Sequence, residues 1–230
     1  MPAGRRAGLI AVAVAAVAAA IAVASTSSDG PAAVGPTTAS AVSVRASGCR
    51  RTFTRSVALA VGPDLLLTVA HAVAGETVIE VTTPDGRVLP ASLAAVDPGL
   101  DGAVLRVAGL GLPTLALDSY RSGIPVELLT MPETRPGLEP AEVQRLVSVK
   151  TSDIYGGKPV VRPGIELVRS TVEAGDSGGG VIQGGRLVGV VWATSRETDG
   201  RAWATQVSAF EHLIESARDG SPVAELPCSR

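Results

Sequence analysis

The chain has 230 residues and a mass of 23.2 kDa, with 46% hydrophobic, 18% charged and only 3% aromatic residues. That apolar share supports a packed core and excludes wholesale disorder, and the core must be built from Val, Leu, Ala and Ile. Twenty basic against 22 acidic residues leave a net charge of −2, which gives no electrostatic footing for nucleic acid, while two cysteines and two histidines exclude a disulfide-dense miniprotein and argue against a multi-histidine metal site.

The N-terminus carries Arg5 and Arg6, then 16 residues without a polar side chain (9–24), ending Ala22-Val23-Ala24 before Ser25. A basic start, an apolar stretch and an A-x-A end predict a secretory signal peptide over 1–24. As a helix the stretch spans ~24 Å, short of the ~30 Å hydrocarbon core of a bilayer. Export to an extracytoplasmic compartment is expected; a membrane anchor formed by 9–24 is the alternative if cleavage fails. Residues 25–48 are rich in Ser, Thr, Ala, Gly and Pro and read as a flexible tether, with the folded part beginning at Cys49.

Short Val- and Leu-rich segments follow, separated by turn signals such as Gly62-Pro63-Asp64, Pro84-Asp85-Gly86 and Gly184-Gly185. Strands are predicted over 56–61, 65–70, 77–82, 88–96 and 103–107. A second series covers 126–130, 143–151, 166–170, 180–183, 187–193 and 202–206. Many short strands with regular turns indicate an all-β barrel or sandwich. The Gly/Pro-rich stretches 109–113 and 123–125 divide the strands into two sets. One helix is predicted over 207–218, with Phe210, Leu213, Ile214 and Ala217 at i, i+3, i+4 and i+7. Ser208 and Glu211 have the spacing of a capping box, and Gly220 and Pro222 end the helix.

Glycines flank one serine in Gly175-Asp176-Ser177-Gly178-Gly179-Gly180. They let the backbone turn sharply, hold Ser177 outward, and aim the Gly175 and Ser177 amides at one spot, as stabilisation of an oxyanion requires. A serine hydroxyl needs a base. His71 ends an apolar strand and is the candidate; His212 lies off the apolar stripe of the terminal helix and reads as solvated. A third group must orient the imidazole. Asp101, at the mouth of the strand Gly102-Ala103-Val104-Leu105, is the better candidate, with Asp97 the alternative.

Thr68-Val69-Ala70-His71, Asp101-Gly102-Ala103-Val104-Leu105 and Gly175-Asp176-Ser177-Gly178-Gly179 occur in that order. Together they resemble the chymotrypsin-like serine proteases. The short interval between His71 and Asp101 resembles the compact bacterial members, including the HtrA-type protease domain, here without its PDZ module. The resemblance covers about 52–217. It implies two six-stranded antiparallel β-barrels, about 52–120 and 124–206, with a C-terminal α-helix. It implies that His71 is general base and acid, Asp101 its orienter and Ser177 the nucleophile, with the Gly175 and Ser177 amides as oxyanion hole. Peptide or protein is then the substrate, and no cofactor is required. Thr171 falls at the base of the pocket for the residue preceding the cleaved bond (P1), and Val191 and Ala193 at its walls. Trp192 falls beside the substrate backbone, with core packing as its alternative. A neutral pocket predicts small or medium apolar P1 residues.

Two departures stand out. Gly102 occupies the place of a large aliphatic, which predicts looser packing under Asp101, and Gly180 replaces a proline. Asp176 stands where digestive members receive a freed N-terminus. No Ile-Val-Gly-Gly-like start precedes the first predicted strand, so Asp176 is expected to find internal donors. The only cysteines, Cys49 and Cys228, lie at the margins of the folded part and are expected to form a bridge in an export compartment, free or intermolecularly paired thiols being the alternative. A protease-fold binding module without turnover is the competing function. A secreted esterase fits less well, because Gly-x-Ser-x-Gly and an alternating α/β pattern are missing.

Overall fold

Valine and leucine alternating with small residues, in runs too short for helices, leave pairing into sheets as the way to satisfy the backbone. The computed structural model describes residues 36–131, 135–168, 170–220, 223 and 226–229. The expected signal peptide, 1–24, and residues 25–35 of the expected tether lie outside the described residues.

The first barrel comprises β1 (Ala41–Ser47), β2 (Thr54–Gly62), β3 (Leu65–Val69), β4 (Val78–Thr82), β5 (Val88–Asp97) and β6 (Gly102–Arg106). Its strands run β1-β2-β3-β6-β5-β4 around the wall, all antiparallel, and β4 closes it against β1. The second comprises β7 (Val126–Thr130), β8 (Gly137–Ser152), β9 (Pro159–Val168), β10 (Gly180–Gln183), β11 (Arg186–Thr194) and β12 (Ala202–Gln206). Its order is β10-β11-β12-β9-β8-β7, closed by β10 against β7. The fold is therefore all-β, with two six-stranded barrels and a C-terminal helix. Leucines and valines fill the interiors: Leu59, Leu66, Leu67 and Leu105 in the first barrel and Leu128, Ile165 and Leu167 in the second are fully buried.

The tether does not reach residue 48. Residues 41–47 are a strand of the first barrel, burying Ala41, Val42, Val44 and Ala46 between β2 and β4. Strand β8 starts at Gly137 and β9 at Pro159, earlier than expected, and both extend into a long hairpin.

The terminal helix α1 (Glu211–Arg218) buries Leu213, Ile214 and Ala217 against β5 and β6. The expected capping box is not formed. Residues Val207–Phe210 make a 3-10 turn, so the α-helix starts after Ser208, whose carbonyl accepts the Glu211 amide while no side chain caps the helix. Gly220 ends it with φ +70°, a conformation glycine adopts without cost.

The looser packing expected at Gly102 is also corrected. A Cβ there would lie 2.6 Å from Phe210 Cδ1 and closer still to Cε1. Phe210, itself 1% exposed, occupies the space that a larger side chain would fill.

Candidate active site

His71 follows β3 directly, in a 3-10 turn over Ala70–Ala72. Its ring Nδ1 lies 2.8 Å from Asp101 Oδ2, and its backbone N–H donates to Asp101 Oδ1 at 2.8 Å. With Nδ1–H facing the carboxylate, the neutral ring keeps Nε2 as an acceptor. The His71 side chain is 33% exposed and that of Asp101 only 4%. The His71 carbonyl accepts from Arg50 Nη2 at 3.1 Å and from Ser229 Oγ at 2.7 Å, and Arg50 also bonds the Ser229 hydroxyl.

Asp101 has φ +59°, the one non-glycine with positive φ among the described residues. Such a conformation persists only where surrounding contacts enforce it. Here its carbonyl accepts the Ala70 amide at 3.1 Å, while its carboxylate takes both His71 donors and lies 3.4 Å from Arg162 Nη1. Asp97 does other work: its Oδ1 accepts the amides of Gly99 and Leu100, making the turn that leads into Asp101. The choice between Asp97 and Asp101 as partner of His71 therefore falls to Asp101. His212 sits apart, 63% exposed and 3.6 Å from Asp97.

Ser177 lies in a loop held to both barrels. The Val57 amide of β2 donates to the Ser177 carbonyl at 2.8 Å. The Gly178 amide donates to Val191 of β11 at 2.7 Å, and the Val191 amide to Gly179 at 2.8 Å. Gly178 has φ +89°, and a Cβ there would collide with the Val57 carbonyl. Thr68 Oγ1 donates to that same carbonyl at 2.6 Å, so β3 is tied in as well. Gly175 has φ +107°, and the Gly175 and Ser177 amides donate to no described group. Ser177 Oγ carries no hydrogen bond among the described residues; bonds of this kind often tighten only with substrate in place.

Asp176 finds the internal donor the sequence left unnamed: the Glu173 amide donates to its Oδ2 at 2.9 Å. Burial, with the nearby Glu173 and Glu139 charges, pushes the Asp176 carboxyl above the usual aspartate value, against the lowering effect of the Glu173 amide. It lines a cavity of about 430 Å³ with Arg55, Thr130, Met131, Glu139 and Thr171.

The residues expected to line the P1 pocket, Thr171, Val191 and Ala193, differ in exposure. Thr171 is exposed and faces the Asp176 cavity, while Val191 is 1% exposed in the core of the second barrel, against which Val172 packs. Ala193 remains half-buried on β11. Trp192 falls at a bulge of β11, where it has no partner on β12. A bulge re-aims its side chain. The Trp192 ring carries the Arg162 guanidinium 4.4 Å from its centroid.

Cys49 and Cys228 are bridged, with Cα atoms 5.7 Å apart. Sequence reading missed Arg162 and the Arg50–Ser229 clasp on the His71 carbonyl. Neither lies in a motif, and only the fold brings them to His71 and Asp101.

Two closed six-stranded barrels, with a His–Asp pair on the first and a Gly-Asp-Ser-Gly loop fastened between them, define the chymotrypsin-like class of fold. Residues 56–190 match the family described as a trypsin-like peptidase domain, and the chain belongs to that family. Serine protease Rv3671c of Mycobacterium tuberculosis is 32% identical over 139 residues, covering 59% of this chain and 35% of that protein. Putative serine protease HhoB of Synechocystis is 26% identical over 153 residues, 66% of this chain and 37% of that protein. The chain thus spans little more than a third of the length of these relatives. Among solved structures, the active form of the M. tuberculosis Rv3671c protease superposes with a TM-score of 0.77 at 27% identity, covering 84% of this chain and 87% of that one. The HtrA-type protease AlgW with a tripeptide gives 0.66 at 22% identity, covering 80% and 61%, a likeness of fold.

Proposed function

We propose that the chain is an exported serine endopeptidase that cuts peptide bonds through His71, Asp101 and Ser177. The observation that carries this reading is the 2.8 Å contact between His71 Nδ1 and Asp101 Oδ2, in a chain whose Gly-Asp-Ser-Gly loop leaves the Gly175 and Ser177 amides without a partner among the described residues. Ser177 Oγ attacks the scissile carbonyl as His71 Nε2 takes its proton. Asp101 holds the ring in the tautomer that makes this possible and stabilises the imidazolium. The Gly175 and Ser177 amides receive the oxyanion. His71 then returns the proton to the leaving amine, and an acyl-enzyme remains on Ser177. Water, activated by the same imidazole, releases the acyl group and regenerates the serine. Export rests on the sequence of residues 1–24 and agrees with a disulfide, which persists in oxidising compartments.

A second reading, a protease-fold binding module without turnover, is favoured by one observation: Ser177 Oγ is not bonded to His71. A serine-directed fluorophosphonate separates the two. Endopeptidase function predicts stoichiometric labelling that Ser177→Ala abolishes, with hydrolysis of a diverse peptide library. Ser177→Ala or His71→Ala should lower kcat by about 10⁴–10⁶-fold and Asp101→Asn by ~10⁴-fold. Full activity in purified Ser177→Ala would exclude this mechanism.

A further inference from the structure

Arg162 is a charged side chain only 3% exposed, and charges are rarely taken out of water without a partner. It projects from β9 of the second barrel, yet two of its partners, Gly99 and Asp101, lie in the turn of the first that presents Asp101 to His71. Its Nε donates to the Gly99 carbonyl at 2.8 Å, within the turn that presents Asp101. Its Nη1 lies 3.4 Å from Asp101 Oδ2, the oxygen that also faces His71 Nδ1. Its Nη2 donates to the Ser152 carbonyl at 3.3 Å, and the guanidinium lies over the Trp192 ring. The planar fork matches this arrangement: two edges bond, one face stacks, and the charge is held against one carboxylate oxygen.

We propose that Arg162 is a positioning residue for the His71–Asp101 pair: it fixes the turn that presents Asp101 and partly neutralises the carboxylate, setting how strongly Asp101 holds a proton on His71. This rests on the proposed protease reading for its consequence in turnover, but not for its effect on His71. An Asp101 carboxylate buried beside His71 with no other cation would attract the imidazolium form strongly. The Arg162 charge weakens that attraction. The Nε bond to Gly99 holds the backbone of the same turn, where Asp101 has positive φ. Asp97 and Asp153 also attract Arg162, with Lys158 beside Asp153 and His212 beside Asp97, while Arg50 sits at the His71 carbonyl. None of these bonds the Asp101 carboxylate.

The test compares Arg162→Gln, which keeps a planar donor and loses the charge, with Arg162→Lys, which keeps the charge and loses the fork. The chain has only two histidines, so His71 is assigned in NMR titrations by difference with His212→Gln. In the intact chain, Arg162→Gln should move the His71 titration midpoint upward by about half to one pH unit, and Arg162→Lys should restore most of it. With peptide substrate, the acid limb of kcat/KM should move by the same amount. In Arg162→Gln, kcat should fall about 10–100-fold and KM less than threefold, as expected when alignment rather than binding is lost. A midpoint unmoved in a folded Arg162→Gln variant overturns the proposal, as does a loss of activity with an unmoved acid limb. If Arg162→Gln does not fold, Arg162→Lys decides: a midpoint near that of the parent chain, with lowered kcat, supports the proposal, and unchanged kcat overturns it. If the parent chain is inactive and the midpoint still shifts, the protease reading fails and the role of Arg162 stands.

Discussion

At Gly178 two separate constraints meet on one residue. Its φ of +89° excludes ordinary side chains, and the Val57 carbonyl occupies the place of a Cβ. The loop can therefore press Ser177 against β2 only because residue 178 has no side chain. Asp176, two residues earlier, has the opposite character: its carboxyl is held above the usual value of 3.8 by burial and then by the Glu173 and Glu139 charges. A carboxyl raised on folding carries no penalty below its unfolded value. Stability is lost as the pH rises from there through the folded value. Asp176→Asn keeps an oxygen for the Glu173 amide and removes that penalty. Its thermal midpoint should exceed that of the parent near neutral pH, with the difference closing as the pH falls below about 4. A parent more stable than the variant at neutral pH would reveal a cationic partner for Asp176. The residues that were legible in the sequence, His71, Asp101 and Ser177, each sit in a motif whose neighbours are local. Arg162 was not, because nothing in Val160-Val161-Arg162-Pro163 distinguishes it from a solvated strand residue. Its burial comes from a turn 61 residues away in the chain.

Elements were read well where an apolar strand is bounded by turn residues, as at Val126–Thr130, Gly180–Gln183 and Ala202–Gln206. Strand β1 was missed because its composition continues that of the stretch before it. Its stability is non-local, coming from ladders to β2 and β4 on both edges. The terminal helix was found from its apolar stripe, but its role under Asp101 was hidden, since Gly102 and Phe210 read separately as a gap and a core residue. Together they are one packing unit. Gly102→Ala should cost about 1–3 kcal/mol by forcing the Phe210 ring to move. Phe210→Leu, less bulky at the contact, should recover part of that loss. In denaturant unfolding, the double variant should be less destabilised than the sum of the singles by about 0.5–3 kcal/mol. Strict additivity would mean that the 3-10 turn bearing Phe210 yields freely at this contact.

At the scale of the whole molecule, the bridge between Cys49 and Cys228 joins the β1–β2 connection to the C-terminal tail across 179 residues of sequence. The tail passes over the first barrel: Leu226 packs against its core, and a Cβ on Gly75 would lie 2.7 Å from the Pro227 carbonyl. Ser229 then reaches the His71 carbonyl. The cross-link therefore restrains the unfolded chain and, together with Leu226 and the Ser229 hydrogen bonds, the tail. In the chain-entropy account a loop this long contributes on the order of 5 kcal/mol, and losing a native bridge commonly costs about 2–5 kcal/mol. For a domain of this size that lowers the thermal midpoint by roughly 5–20 °C. Calorimetry of the double variant Cys49→Ser with Cys228→Ser should show that fall. Reductant should lower the midpoint of the parent chain toward the same value and leave the double variant unmoved. Equal midpoints for the oxidised parent and the variant would show that packing alone holds the tail, and two titratable thiols per native chain would show that the bridge does not form.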